Sequence, residues 1–264
     1  MNPCKLKALH EVSLDIFAER GFRMKAFLLA GGLGTRLRPL TDSTPKCLLP
    51  VQGIPMLQIW FDICRLYGID EVLINVHAHG DAVRRFIQAR KDNLKVRLFE
   101  ETTLLGSAGT VLANREWINK ERHFWVFYAD VLTTANLNQM LDFHDSRGQI
   151  ATIGVYEVTD PSRCGIVQIA DNGVVRDFVE KPRVPVGNLA FSGLMLAAPT
   201  LLDAIPGTTP ADLGFHVFPH VVGRMAAYRI PGFLMDIGTL ETYRAAQLTW
   251  PGLSQSLNQG GFRD

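Results

Sequence analysis

The sequence has few cysteines, no long apolar run and almost no net charge, and each of these shortages excludes a class of protein. Its four cysteines lie far apart and form no CxxC pair, which argues against a zinc site or a disulfide scaffold and fits a reducing cytoplasm. No apolar stretch approaches the roughly 18 residues of a membrane-spanning helix. The net charge of +1 gives no basic footprint for nucleic acid or a membrane surface. An anionic ligand would therefore need a local cluster of cations.

The two ends of the chain are expected to lie outside the functional domain. Residues 1–23 have apolar side chains at helical spacing but lack the cationic start, apolar block and cleavage site of a signal peptide. We expect a short amphipathic helix without a catalytic role, or a mis-assigned start, with Met24 as a natural initiator. Residues 251–264 are polar and contain glycine, so a loose tail is expected. Residues 24–250 are left as one domain, and the apolar fraction of 47% supports a sizeable core.

Apolar runs alternate with amphipathic stretches in the first part of this domain. The predicted strands are KAFLLA, EVLINV, LKVRLF and FWVFYAD, and the predicted helices between and after them are PMLQIWFDICRLYG, DAVRRFIQARK, GSAGTVLANREWI and LNQMLDFHDSRG. Apolar strands separated by helices of about ten or more residues indicate parallel βαβ units with both faces of the sheet covered.

The pattern changes near Gln149, where strand-like runs follow one another with little helix between them. These runs are ATIGVYEV, GIVQIA, VVRDFVEK and LAFSGLMLA, and a DNG turn ending at Gly173 joins two of them as a hairpin. Helical stretches are predicted near residues 211–226 and 240–249. The sequence thus predicts a single α/β domain with a nucleotide-binding first half and a more antiparallel second half. It contains no hexapeptide repeat.

A glycine-rich turn follows the first predicted strand, in LLAGGLGTRLRPLTDSTPKCLLPV. A P-loop would need Lys-Ser/Thr directly after its last glycine, but Thr35 and Arg36 follow Gly34. A dinucleotide fingerprint would need a third glycine where Leu37 stands, and Pro39 would interrupt its helix. Both of these phosphate-binding loops are therefore disfavoured.

The residues of this turn still suit a phosphate chain. Gly31, Gly32 and Gly34 would let backbone N–H groups turn towards an anion without interference from a Cβ atom. Arg36 offers a planar fork of donors, and Lys46 adds a second cation ten residues later. A plainer interpretation, a glycine turn with solvated basic residues, would be preferred for an isolated GGxG.

The longer pattern AGGLGTRLRPLTDSTPKCLLPVQGIPML resembles the signature of the sugar-1-phosphate nucleotidyltransferases, also called nucleoside-diphosphate-sugar pyrophosphorylases. The resemblance runs from about Met24 to about Gln247. It implies a Rossmann-like, three-layer mixed sheet of the nucleotide-diphospho-sugar transferase type. It also implies a nucleoside triphosphate (NTP) and a sugar 1-phosphate as substrates, Mg²⁺ as cofactor, and a cytoplasmic homo-oligomer, either a dimer or a tetramer.

The resemblance also implies the residues of the site. The catalytic residues would be Arg36, Lys46 and Asp130. The nucleotide-binding residues would be Leu29, Ala30, Gly31, Gly32, Gly34, Thr35, Gly106, Ser107 and Gly109. The sugar-phosphate-binding residues would be Gly165, Glu180, Lys181, Asn188 and Gly193. The metal ligands would be Asp130 and Asp236, because two carboxylates completed by phosphate oxygens and water suit Mg²⁺.

Several of these matches would mean little alone. LLGSAGT, matched to the family's base-holding segment, would otherwise be a tight strand-to-helix turn, and EKP at a strand end is a common surface tripeptide. One departure is Ala129 before Asp130, where many relatives have glycine, which slightly tightens the space beside the metal. His77 and His79 lie in a strand-to-helix loop without a nearby third ligand, so a metal site is not predicted there. The order of the matched motifs along the chain favours the family.

The choice of base and sugar is less constrained. Pyrimidine-using relatives often have one glutamine directly after the signature lysine and another just upstream of the base-holding segment. This chain has Cys47 at the first place and ETTLL before Gly106 at the second. Both features resemble the mannose-1-phosphate guanylyltransferase branch. The order of expectation is GTP, then UTP or dTTP, then CTP, with mannose 1-phosphate or a manno-configured heptose phosphate as the sugar. A non-catalytic paralogue that binds nucleotide-sugar and regulates a partner enzyme is the alternative from another class. It would be expected to have lost a metal ligand or a signature cation.

Overall fold

In the computed structural model of the chain, residues 24–253 are described. The predicted N-terminal extension and the predicted tail from residue 254 onward lie outside the described residues. The strands are β1 (Met24–Leu29), β2 (Pro50–Val51), β3 (Ile54–Pro55), β4 (Ile69–Val76), β5 (Lys95–Glu100), β6 (Phe124–Tyr128), β7 (Val131–Thr133), β8 (Ala151–Glu157), β9 (Gly165–Ile169), β10 (Val175–Glu180), β11 (Leu189–Ala197), β12 (Met225–Arg229) and β13 (Leu234–Asp236). The α-helices are α1 (Met56–Leu66), α2 (Gly80–Gln88), α3 (Gly106–Ala113), α4 (Arg115–Ile118), α5 (Leu137–Arg147) and α6 (Leu240–Thr249).

A nine-stranded mixed sheet forms the centre of the domain. Strands β5, β4, β1 and β6 lie side by side and parallel, and β11 pairs antiparallel with β6. Strand β8 continues the sheet antiparallel to β11, and β12 runs parallel to β8. The antiparallel β9–β10 hairpin joins the first half of β11 through Ala190 and Ile166. The predicted mixed α/β sheet is thereby confirmed, including the more antiparallel second half.

Apolar side chains cover both faces of this sheet. Successive residues of β1 and β6 alternate between two buried clusters, because neighbouring side chains of a strand point to opposite faces. Leu28 and Phe127 belong to one cluster, while Phe27 and Val126 belong to the other. Helices α1, α2, α5 and α6 contribute to the first cluster, and α3 and α4 to the second. The two helical layers and the sheet between them make three layers.

The segment at residues 211–226 does not form the predicted helix. It folds as a π-helical turn (Leu213–Val217) and a 3-10 turn (Phe218–His220), and then enters β12 at Met225. Pro219 has no N–H to donate, and Gly223 has a φ of +81°, so a long α-helix could not continue here. The helix predicted for GSAGTVLANREWI is likewise divided, between α3 and α4 at Asn114.

Other predicted elements are found where the sequence places them. The hairpin turn at Gly173 has the expected positive φ of +81°. Helix α6 covers residues 240–249 as predicted and begins with a capping box, in which the Thr239 hydroxyl accepts from the Thr242 N–H. Within residues 24–253, no helix combines the length and apolar character needed to cross a membrane.

Candidate active site

The glycine-rich turn leaves the carboxyl end of β1 and enters a 3-10 turn at Thr35–Leu37. Gly34 adopts a φ of +63°, and its carbonyl oxygen accepts from the Leu37 N–H at 2.9 Å and the Thr41 hydroxyl at 2.8 Å. Gly31 packs so closely on Asn75 that a Cβ atom would lie 2.7 Å from its Nδ2 atom. The loop thus needs glycine at both positions, for backbone conformation at one and for space at the other.

This loop borders an open cavity of about 340 Å³, a volume within the range of small-molecule sites. Its lining is Leu29, Ala30, Gly32, Leu33, Gly34, Thr35, Arg36, Lys46, Cys47, Leu104, Ala129, Asp130 and Gly238. The structure thus brings most of the residues predicted around the NTP to one cavity, together with all three predicted catalytic side chains. Burial raises the pKa of the Cys47 thiol to about 12, so this cysteine is a neutral part of the lining.

Two cations and two carboxylates come together at one end of the cavity, although Asp236 does not itself line it. The Lys46 Nζ atom lies 2.5 Å from the Asp130 Oδ2 atom. Strand β13 pairs with β7 so that the Ile237 N–H donates to the Asp130 carbonyl oxygen, which places Asp236 beside Asp130. A methyl group on Gly238 would lie 2.5 Å from the Asp236 Oδ1 atom and 3.0 Å from the Arg36 Nη2 atom. Arg36 and Asp236 therefore approach the same point.

The Asp236 carboxyl is perturbed by its surroundings. Asp236 is exposed to solvent, yet the protein atoms around its carboxyl raise its pKa by desolvation, and the negative charge of Asp130 raises it further, while Lys46, the Gly238 N–H and Arg36 oppose the shift. Within residues 24–253, no group of three or more His, Cys, Asp or Glu side chains could hold a metal ion. A cation at the two aspartates would therefore take its other ligands from water or from a bound phosphate.

The segment of residues 104–110, which includes the first turn of helix α3, is held in place by residues far along the chain. The N–H groups of Ala108 and Gly109 donate to the Ala211 carbonyl oxygen at 2.9 and 3.0 Å, and the Ala211 N–H donates back to Leu105. Gly106 has a φ of +77°, and a Cβ atom there would collide with the Ala211 carbonyl oxygen. The small residues thus make room for Ala211, as in a tight strand-to-helix turn. The predicted contact of Gly106 and Gly109 with a nucleobase stays a prediction.

Ser107 connects this loop to the second half of the molecule. Its hydroxyl donates to the Asp212 Oδ1 atom at 3.0 Å and accepts from the Leu213 N–H at 2.8 Å. Its side chain also forms a hydrogen bond with the side chain of Tyr128, and burial raises the pKa of that tyrosine. Ser107 therefore anchors the start of α3 to the π-helical turn.

A buried polar network under the cavity was not predicted. The Ala30 N–H donates to the Asn75 Oδ1 atom at 2.8 Å, and the Asn75 Nδ2 atom donates to the Glu101 Oε1 atom at 2.9 Å. The Thr110 hydroxyl also donates to that Glu101 oxygen, and the Leu105 N–H donates to the other at 3.1 Å. An asparagine within the apolar strand EVLINV was the sequence feature that could have indicated it.

The predicted sugar-phosphate residues form a second group beyond the cavity lining. Glu180 ends β10 opposite Gly165, where a Cβ atom would lie 2.6 Å from the Glu180 Oε2 atom, and Gly214 also lies against this carboxylate. Burial raises the pKa of Glu180, although Lys181 lowers it. The Lys181 Nζ atom lies 3.7 Å from the Glu180 carboxylate and 5.5 Å from the centre of the exposed Phe215 ring.

The last two predicted residues occupy different places. Gly193 forms a bulge in β11 with a φ of +82°, where a Cβ atom would lie 3.0 Å from both Tyr128 and Val131. Its role in the structure is thus close packing at the end of β6. Asn188 is exposed, and its carbonyl oxygen accepts from the Val158 N–H. Among the described residues, no hydrogen bond joins its side chain to Glu180 or Lys181.

Comparisons with known proteins bear on the domain as a whole. The sequence profile of a family described as "Nucleotidyl transferase" matches residues 25–250. "Mannose-1-phosphate guanylyltransferase 1" of Arabidopsis thaliana is 35% identical over 227 residues, which cover 83% of this chain and 63% of the relative. The "Mannose-1-phosphate guanylyltransferase catalytic subunit beta" of Dictyostelium discoideum is 34% identical over 220 residues, covering 81% of this chain and 61% of that protein. The chain thus spans less than two thirds of the length of these relatives.

Two solved structures have the same fold. One is a putative glucose-1-phosphate thymidylyltransferase from Bacillus anthracis, which superposes with a TM-score of 0.74 at 22% identity over 85% of this chain and 94% of that one. The other is HddC from Yersinia pseudotuberculosis complexed with GMP-PN, with a TM-score of 0.69 at 24% identity over 86% of this chain and 99% of that one. At these identities the likeness concerns the fold alone.

Proposed function

The chain belongs to the nucleotidyl transferase family, and from this premise we propose that it transfers a nucleoside monophosphate from an NTP to a sugar 1-phosphate. The products are a nucleoside-diphosphate sugar and pyrophosphate. The observation that carries the proposal is the convergence of Arg36, Lys46 and Asp130 with the glycine loop on one open cavity. The names of the curated relatives support the same reaction.

The proposed reaction needs positioning more than it needs a base. An oxygen of the sugar phosphate attacks the α-phosphorus, the bond from that phosphorus to the bridging oxygen breaks, and the electron pair leaves with pyrophosphate. The second pKa of a phosphate monoester is about 6, so the attacking oxygen already carries charge at pH 7. The difficulty lies in bringing two polyanions together in line.

The described side chains can be assigned to this task. Arg36 and the glycine loop would hold the triphosphate, and Arg36 would stabilise the charge that develops on the leaving pyrophosphate. Lys46 would neutralise the α-phosphate. Lys181 would hold the phosphate of the sugar, and the neighbouring Glu180 would accept hydrogen bonds from sugar hydroxyls.

The residues present fit a magnesium ion. Asp130 and Asp236 lie side by side, and the negative charge of Asp130 raises the pKa of Asp236, a repulsion that a divalent cation would relieve. A site with two carboxylates and open positions suits Mg²⁺, which keeps water and phosphate oxygens as ligands. When bound, Mg²⁺ would neutralise the phosphate oxygens of both substrates.

The preferred substrates are proposed from the sequence and the relatives' names. GTP and mannose 1-phosphate come first, with UTP, dTTP or CTP and a manno-configured heptose phosphate as alternatives. A non-catalytic paralogue that binds nucleotide-sugar is disfavoured, because Arg36, Lys46, Asp130, Lys181 and Asp236 are all present. Homo-oligomerisation and a cytoplasmic location remain predictions from the resemblance.

The test is pyrophosphate release with Mg²⁺ across GTP, UTP, dTTP, CTP and ATP, each combined with several sugar 1-phosphates. We expect release with GTP and mannose 1-phosphate or a manno-heptose phosphate. Release with another pair would keep the reaction class and change the substrates. No release in any combination, together with tight nucleotide-sugar binding by the folded protein, would support the regulatory alternative instead.

A further inference from the structure

The π-helical turn Leu213–Val217 brings an aromatic ring to the two residues proposed to bind the sugar phosphate. Phe215, in the middle of this turn, is 50% exposed. The Lys181 Nζ atom lies 5.5 Å from the centre of its ring, within the roughly 6 Å over which a cation and a ring attract each other. The same Nζ atom lies 3.7 Å from the Glu180 carboxylate. A cation, a carboxylate and an exposed ring thus lie together at the end of β10.

Contacts on several sides hold the backbone of this turn. The Asp212 N–H donates to the His216 Nδ1 atom at 2.9 Å, and the His216 N–H donates to the Asp212 carbonyl oxygen at 2.9 Å. Ser107 adds the two hydrogen bonds described above. Phe218, directly after the turn, is buried, and its ring packs edge to face on Phe178 of β10 with the centroids 5.0 Å apart. The exposed ring is therefore carried by a fixed backbone, which keeps the entropy cost of contacting a ligand low.

The backbone near the ring also brings the three side chains together. Gly214 has no side chain, and a Cβ atom there would collide with the Glu180 carboxylate. The turn can therefore lie directly on Glu180. Lys181 adopts a φ of +48°, which residues with a Cβ atom seldom take, and its N–H donates to the Cys164 carbonyl oxygen at 2.9 Å. Such backbone conformations cluster at binding and active sites.

This group of side chains is separate from the cavity beside the glycine loop. The described residues that line that cavity do not include Phe215, Lys181 or Glu180. The cavity is proposed to hold the NTP, whereas Lys181 is proposed to hold the phosphate of the acceptor. A ligand that reaches the ring of Phe215 is therefore the sugar. The face of an aromatic ring is negatively polarised, so it attracts C–H groups that neighbouring oxygen atoms polarise positively.

We propose that Phe215 is a specificity-determining residue of the acceptor site, whose ring packs against the C–H groups of a pyranose. The inference rests on the proposed function and adds a residue that the sequence did not predict. Lys181 holds the phosphate of the acceptor, and Glu180 accepts from its hydroxyls. A cyclic sugar phosphate satisfies all three groups, whereas a phosphate ester without a ring satisfies Lys181 alone. The site thereby selects cyclic sugar phosphates over smaller esters of the same charge.

Phe215→Leu is the direct test, because leucine keeps an apolar side chain and removes the ring. Phe215→Tyr restores a ring. Leu248→Ala is the control, since Leu248 is an apolar residue of α6 that is 86% exposed. For wild type and the three variants, pyrophosphate release gives the KM values for GTP and mannose 1-phosphate. Methyl phosphate carries the charge but no ring, and its inhibition constant in competition with mannose 1-phosphate is measured for the same proteins.

We expect Phe215→Leu to raise the KM for mannose 1-phosphate about threefold to tenfold, as for loss of one contact with an aromatic ring. The KM for GTP and the inhibition constant of methyl phosphate should stay within about twofold of wild type. Phe215→Tyr should restore the KM for mannose 1-phosphate, and Leu248→Ala should leave all three constants unchanged. Equal losses for mannose 1-phosphate and methyl phosphate would overturn the inference, because the ring would then serve only to hold Lys181.

A binding measurement makes the outcome independent of turnover and of variant folding. Saturation-transfer NMR with irradiation of the aromatic protons should reach the ring protons of mannose 1-phosphate in wild type, and Phe215→Leu should reduce this transfer. Wild-type protein with deuterated phenylalanine rings should show the same reduction without any mutation. Undiminished transfer would overturn the inference.

The two levels of the proposal fail in different ways. Wild-type protein that neither binds nor turns over a sugar 1-phosphate would refute the proposed function, and this inference with it. Wild-type turnover combined with unchanged constants for Phe215→Leu would refute only the role of Phe215.

Discussion

Arg36 and Arg38 are two positions apart in the chain and have different surroundings. Arg36 lines the cavity beside Gly238, whereas Arg38 is 68% exposed and pairs with Asp42 at 3.2 Å. We expect Arg36→Ala to lower kcat/KM by about 10²-fold or more, because it removes the donor proposed to stabilise charge on the leaving pyrophosphate. Arg38→Ala should stay within about twofold, as for an exposed ion pair. Initial rates of pyrophosphate release measure both, and equal losses would place the important cation elsewhere.

The Lys46 ammonium is paired with a carboxylate oxygen of Asp130 that the proposed metal would need as a ligand. Its Nζ atom lies 2.5 Å from Asp130, so a divalent cation must compete with it. We expect Lys46→Met to bind Mn²⁺ roughly fivefold more tightly than wild type without nucleotide, because an adjacent cation is removed, and yet to turn over more slowly. Electron paramagnetic resonance titration of free Mn²⁺ gives the affinity. Weaker Mn²⁺ binding by the variant would mean that Lys46 orients Asp130 and does not compete for it.

The start of helix α3 depends on its contact with Ala211. Gly106 combines a positive φ with a Cβ position that the Ala211 carbonyl oxygen fills, whereas Gly223 has a similar φ of +81° and open space beside it. Gly106→Ala should lower the free energy of unfolding by about 3 kcal/mol, and Gly223→Ala by about 1 kcal/mol, since both are strained but only one collides. Urea denaturation of both variants measures the difference. Equal losses would show that the loop moves aside at no cost.

At the scale of helices and strands, the sequence predicts regular elements better than the irregular turns and short strands between them. Apolar periodicity and capping residues placed α1, α5 and α6 closely. The π-helical turn Leu213–Val217 was missed because distant residues help to fix it: the Leu213 N–H donates to the Ser107 hydroxyl, and Gly214 packs against the Glu180 carboxylate. The β7–β13 pairing was also missed, since two three-residue strands have no periodicity to detect.

The stability of the whole domain should depend on pH through a buried histidine pair. His144, on α5, is 2% exposed and bonds Thr152 of β8 at 2.8 Å and His123, which precedes β6, at 3.2 Å. Burial, and then the charge of His123, lower the pKa of His144 to about 4. Burial also lowers the pKa of His123, although Asp145 opposes this shift and Arg122 adds to it. Both rings are therefore expected to be neutral in the folded protein at pH 7.

The sign of the effect follows from where the protons bind. Above an unfolded pKa of about 6.5, both states are neutral and stability is independent of His144. Below pH 6.5, the unfolded chain binds a proton at His144 that the folded protein does not bind. The free energy of unfolding therefore falls by about 3 kcal/mol between pH 6.5 and pH 4. Urea unfolding across this range should show a shallower decline for His144→Gln, and an unchanged decline for the exposed control His220→Gln. An identical decline in all three proteins would assign the pH dependence to other groups.

For the molecule as a whole, the signature from Ala30 to Leu57 predicted the family and the fold, and both are confirmed. Arg36 and Lys46 were predicted from this signature and Asp130 from the FWVFYAD motif, and the structure brings all three to one cavity. The buried hydrogen bond between Asn75 and Glu101 could not be predicted in the same way. Its members are separated by 26 positions and meet only through the pairing of β4 and β5. Their chemistry depends on burial, which no local pattern specifies.

The pairing of β13 with β7 bears on how the protein is made. Asp236 is synthesised 106 residues after Asp130, which takes roughly 5 to 20 s of translation. During that interval the nascent chain holds the glycine loop, Lys46 and Asp130, but lacks Asp236 and strand β13, which carries it. We expect ribosome-bound chains that stop short of β13 to be unable to assemble the two-aspartate end of the cavity. Nucleotide chemistry would then begin only when nearly the whole domain has been translated.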